Sequence, residues 1–114
     1  MALLPNAGKA IIDPEKLYAY ILSSTHPVGR FNAAFFRSYG YSADNWETFE
    51  MSLRHLILSC EAVEVTASQF GKKYLVEGPL SGTGTSIVNI ITLWVILKGE
   101  DIPRFITAYP GELR

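Results

Sequence analysis

Two short segments hold the residues whose types and spacing could do chemistry. The first is His26-Pro-Val-Gly-Arg30-Phe-Asn32. A histidine ahead of a proline is steered away from helical backbone. His26 therefore falls in a loop, just before a helix whose first amides attract anions. Arg30 and Arg37 stand seven residues apart, so they share one flank of that helix and could both meet a phosphate. Asn32 lies about 150° around the helix from that flank. The plainer alternative is that His26 caps the helix and both arginines are solvated. The second segment is Pro103-Arg-Phe-Ile-Thr-Ala-Tyr-Pro110. Strand alternation sets Phe105, Thr107 and Tyr109 on one face, and Arg104, Ile106 and Ala108 on the other. Two hydroxyls and an aromatic ring on one face suit a substrate surface; they also suit a sheet face whose hydroxyls bond locally.

Other chemistries lack their residues. There are two histidines, His26 and His55, and the single cysteine Cys60, with no spacing that suits zinc and no calcium-loop pattern. We therefore expect no metal and no cofactor. Gly82-Thr-Gly84 joins two strands instead of opening a helix, so it reads as a turn and not a phosphate loop. No nucleophile elbow or Cys/His pair is present. With 10 basic and 11 acidic residues the formal net charge is -1, which opposes broad nonspecific nucleic-acid binding. One cysteine permits no intrachain disulfide and fits a reducing compartment, so a cytoplasmic location is expected. The N-terminus lacks the basic start and apolar run of a signal peptide. The longest apolar stretch, Ile90 to Leu97, has strand length, against the roughly 20 residues a membrane span needs.

The elements that must position these residues are legible in outline. Asp13-Pro14-Glu15 opens a helix over 14–23 that carries Leu17 and Ile21. A second helix is expected over 30–39, with Phe31, Phe35 and Ser38 as a stripe and Gly40 at its left-handed end. Asp44 with Glu47 suggests a capping box for a third, over 44–58. Trp46, Phe49, Leu53, Leu56 and Ile57 recur there at steps of three and four, and Glu50 can pair with Arg54. The period then changes to that of strands: 61–68, 72–79, 86–98 and 103–109, with Pro79 to Gly84 as a loop. The long apolar strand 86–98 should be internal, with Ile91, Leu93 and Val95 in the core beside Val76. Pro103 suits the start of an edge strand. Residues 1–114 thus read as one α+β domain, three N-terminal helices packed on a four-stranded antiparallel meander.

The motifs His26-Pro-x-Gly-Arg30, Phe35-Phe36-Arg-Ser-x-Gly40-Tyr41 and Pro103-Arg-Phe-x-Thr107-Ala-Tyr-Pro110 resemble a family of small bacterial domains of unknown activity. Its members are often encoded beside another short protein, which implies a small protein partner. More remotely, helices followed by a four-stranded antiparallel sheet resemble the toxin-type ribonucleases grouped around barnase, EndoU, colicin D and RelE. Those enzymes use no metal and set catalytic side chains on or beside an open sheet face. The resemblance implies His26, Arg30, Thr107 and Tyr109 as catalytic residues acting on RNA, with Arg37, Asn32 and Arg104 as substrate contacts. The resemblance to the family of small bacterial domains implies a lysine where this chain has Asn32, and hence a weakened or inactive member if that lysine is catalytic. The rival expectation is a non-catalytic interaction module, serving the neighbouring protein or a homodimer formed through a sheet edge, with no membrane role.

Overall fold

The computed structural model describes residues 3–23, 30–81 and 87–111. Local chemistry starts the first helix. The Asp13 carboxylate accepts the Glu15 N–H at 3.0 Å and Pro14 takes the first helical position, opening α1 (Pro14–Lys16). The chain continues as a π turn over Leu17–Ile21, where the Leu22 N–H reaches back to the Leu17 carbonyl at 2.8 Å. Helix α2 (Arg30–Arg37) ends at Gly40, whose φ of 92° is the left-handed value expected of a helix terminator. A 3-10 turn, Ala43–Asn45, leads into α3 (Trp46–Ser59). The cap differs from the expected Asp44/Glu47 pair: the Ser42 N–H donates to the Asn45 carboxamide at 2.7 Å, two residues earlier. On α3, Arg54 pairs with Glu50 at 2.9 Å and also donates to the Ala10 carbonyl at 2.8 Å, tying the N-terminal segment to the helix.

The sheet contains β1 (Ala62–Ser68), β2 (Gly71–Ser81), β3 (Ile87–Leu97) and β4 (Arg104–Pro110), antiparallel and in chain order, so β3 is internal as expected. One correction concerns Pro79. It lies within β2, opposite Asn89, instead of opening a loop. The reason is positional: β1 pairs with β2 only as far as Val76, so the outer side of β2 is unpaired beyond it, where a missing N–H costs no ladder bond. The Gly82-Thr-Gly84 turn lies outside the described residues. Gly71, at φ 147°, cannot be replaced freely, because a side chain there would collide with the Ile96 carbonyl.

One face of the sheet enters the core. Val76, Leu80, Ile90, Trp94, Phe105 and Ala108 are buried together with Leu17, Ile21, Phe49, Leu53, Leu56 and Ile57. Gly78 lets α3 approach β2 closely, since a Cβ there would meet Cys60 Sγ at 2.5 Å and the Leu56 side chain at 3.7 Å. Two expectations shift by one residue. On α2 the buried ring is Phe36, edge-on to Phe49 at 4.9 Å, while Phe35 is half-buried against Tyr39. On β3 the core takes Ile90, Thr92 and Trp94, and the half-buried Ile91, Leu93 and Val95 lie on the opposite face. Among the described residues, no helix is long and apolar enough to cross a membrane.

Candidate functional site

The register of β4 against β3 decides which side chains meet. Trp94 pairs with Phe105 and Leu93 pairs with Thr107, so Ile106 has no partner and forms a bulge. The bulge corrects the expected alternation. Phe105 joins Trp94 in the core, their rings 5.2 Å apart, while Thr107 and Tyr109 fall on the opposite, open face. Arg104 pairs with Val95, so it shares the open face with Thr107 and Tyr109 instead of opposing them.

The ladder pairs arrange the open face in rows. One row runs Thr66, Lys73, Val95, Arg104; the next Val63, Leu75, Leu93, Thr107; the third Glu77, Ile91, Tyr109. Successive rows are two residues apart, about 6.8 Å along the strands. Cations therefore stand at one end, aliphatic side chains in the middle with Thr107 at the β4 edge, and a carboxylate with a phenol at the other end. Thr107 and Tyr109 are both half-exposed. The Arg104 guanidinium is held by Glu100 through two contacts of 3.1 and 3.3 Å. That hydrogen bonding, and secondly the Glu100 charge, hold its pKa above the usual arginine value. Arg104 is thus a fixed positive charge. Glu77 is oriented by Asn89, whose amide donates to it at 2.5 Å, and Gly111 leaves room for that amide.

The other candidates are distributed as follows. Arg37 is exposed on the last turn of α2, a helix that touches β4. His26 lies outside the described residues, as do the side chains of Arg30 and Asn32. Lys73 and Glu77 were missed by sequence reasoning. Alternation along β2 puts Lys73, Leu75 and Glu77 on one face, but only the ladder register shows that this face also carries Thr107 and Tyr109. Cavities lie elsewhere among the described residues. One, of about 480 Å³, is at the turn end of the sheet by Tyr74, Lys72, Ile96 and Lys98; another, of about 410 Å³, lies beside α3 at Met51, His55 and Pro79. Hydroxyls beside the second are engaged: Ser52 donates to the Thr48 carbonyl at 3.1 Å and Ser59 to that of His55 at 2.9 Å. Among the described residues no three His, Cys, Asp or Glu side chains gather to hold a metal.

A family model described as "Domain of unknown function (DUF6883)" matches residues 3–112. No curated protein matches the chain. Among solved structures, a chain of the contact-dependent growth inhibition toxin–immunity protein complex from Klebsiella pneumoniae 342 is similar in fold. The TM-score is 0.69 at 18% sequence identity, covering 89% of this chain and 99% of that one. At that identity the likeness is one of fold.

Proposed function

The chain belongs to the DUF6883 family of domains of unknown function, and we propose that it is a toxin-type ribonuclease that cleaves RNA without a metal. The observation that carries this assignment is the Ile106 bulge, which gathers Arg104, Thr107 and Tyr109 on one open sheet face. The similar fold of a chain from a toxin–immunity complex supports it. In the reaction the ribose 2′-hydroxyl attacks the adjacent phosphorus and the 5′-oxygen leaves, giving a 2′,3′-cyclic phosphate. The step needs a proton acceptor, a proton donor and cations for the developing phosphoryl charge. We assign His26 to proton transfer and Arg30 to clamping the phosphate. Thr107 and Tyr109 position the substrate through their hydroxyls, and Arg37, Asn32 and Arg104 supply flanking contacts. An RNA substrate would place the protein in the cytoplasm.

Purified protein should cut single-stranded RNA in excess chelator, leave cyclic phosphate ends and spare DNA, which has no 2′-hydroxyl. His26→Ala should lower the rate about 10²–10⁴-fold. Asn32→Lys, which restores the lysine that the sequence resemblance implies, should raise it. RNA left intact by both wild type and Asn32→Lys would refute the assignment.

A second reading has its own observation. The middle of the same face is aliphatic, at Val63, Leu75, Leu93 and Ile91, which suits a protein contact better than RNA. A binding module for a small partner protein would use this face without catalysis. Inert RNA together with a stoichiometric complex with the product of a neighbouring gene would favour it.

A further inference from the structure

We propose that the open face of the sheet is a self-association surface on which a second copy of this chain stacks about a two-fold axis. The aliphatic residues of the face are left out of the core. Leu75, Ile91, Leu93 and Val95 are absent from the buried cluster, and Val63 remains 54% exposed. A face of four strands about 4.8 Å apart and up to eleven residues long covers on the order of 600 Å² in plan. That is the scale of the roughly 800 Å² that each partner contributes to a stable complex.

The charge pattern specifies the occupant. Lys73 stands one row to one side of the Val63–Leu75–Leu93–Thr107 row, and Glu77 stands one row to the other, both on β2. A two-fold axis along that middle row turns the second copy end for end. Each Lys73 then lies over the partner's Glu77, and each Glu77 over the partner's Lys73. Leu75 and Leu93 stack on their own counterparts, as an isologous interface requires. A two-fold axis along the strands through the centre of the sheet would instead set Lys73 over the partner's Val95 and Glu77 over the partner's Ile91, leaving both charges unpaired. Face-to-face packing at about 10 Å is the ordinary geometry of two stacked sheets. Edge-to-edge association is opposed by the fold itself, because both edge strands carry a bulge, at Val65 in β1 and Ile106 in β4. The stacked pair covers Thr107 and Tyr109. If those hydroxyls position RNA, a clause that rests on the nuclease assignment, the dimer is the closed form and the monomer the active one.

Sedimentation equilibrium from low micromolar to about 200 µM tests this. Wild type should dimerise. Lys73→Glu and Glu77→Lys should each raise the dissociation constant at least about tenfold, since each sets two like-charge pairs face to face. The double variant Lys73→Glu/Glu77→Lys should return it to near the wild-type value. Both positions are exposed, so a far-UV spectrum matching wild type is expected throughout. Wild type that stays monomeric at the highest concentration overturns the inference and leaves the face to a different partner. Single reversals that dimerise like wild type, or a double variant that does not recover, overturn the two-fold arrangement. The readout is mass, so protein that cuts RNA but stays monomeric at every concentration refutes the dimer alone, and protein that dimerises but cuts no RNA even at concentrations where it is monomeric refutes the nuclease alone.

Discussion

The indole Nε1 of Trp94 donates to the Thr92 hydroxyl at 2.8 Å, and that hydroxyl donates in turn across to the Val76 carbonyl of β2 at 2.9 Å, on the buried face of the sheet. Trp94 and Thr92 are both fully buried, so each polar atom depends on the other for its partner. Thr92→Val keeps the shape but leaves the indole N–H without its acceptor. We expect a loss of about 1–3 kcal/mol, with Thr92→Ser costing less because the hydroxyl survives. Urea unfolding of the three proteins measures both, and a Thr92→Val variant as stable as wild type would rule out the relay as a stabilising contact.

The face assignment of β3 is tested by neighbours of identical chemistry. Ile90→Ala empties a site that is 0% exposed and should cost about 2–5 kcal/mol. Ile91→Ala, on the open face, should cost less than about 1 kcal/mol. Equal losses would mean that the strand is covered on both sides.

Gly71→Ala should destabilise by about 1–3 kcal/mol. The backbone there has a φ of 147°, and the added methyl has the Ile96 carbonyl in its way. Gly8→Ala is the control, since a Cβ at that position meets nothing within 4 Å. Thermal midpoints of the two variants would separate the effects, and equal midpoints would refute the collision.

Deletions test the bulge. Removing Ile106 leaves Phe105 and Thr107 as consecutive residues on opposite faces, a regular ladder with every downstream pair intact. Removing Ala108 forces either Tyr109 into the core or a new bulge. The first deletion should keep a cooperative unfolding transition at a midpoint well above that of the second. The reverse order would show that Ile106 is not the extra residue.

For the proposed activity, Thr107→Val and Tyr109→Phe should each reduce RNA cleavage at least about tenfold, which corresponds to about 1.4 kcal/mol of transition-state stabilisation. Stability should change little, because both side chains are half-exposed on the open face. Unaltered cleavage by both variants would remove these hydroxyls from the site.

Much of the order of elements was readable from the residues alone. The steps of three and four from Phe49 to Ile57 define α3, whose apolar stripe is what the core buries. Asp13 caps with its own carboxylate, and Pro14 and Gly40 act through their own backbone geometry, so their roles needed no tertiary context. The change to strand periodicity after Cys60 and the four successive strands follow from local composition in the same way.

The faces of the sheet were settled only by the folded chain. Alternation identifies a buried face when the other face is polar, and β3 is apolar on both, with Ile90, Thr92 and Trp94 against Ile91, Leu93 and Val95. Which set is buried depends on where α3 and the N-terminal segment come to rest, a matter of contacts distant in sequence. The same holds for the candidate site. A bulge is a mismatch between two strands, so nothing within Pro103 to Pro110 marks Ile106 as the extra residue. The sequence by itself supplied Arg104, Thr107 and Tyr109; pairing with β3 placed them on one face, beside the Lys73 and Glu77 that β2 brings.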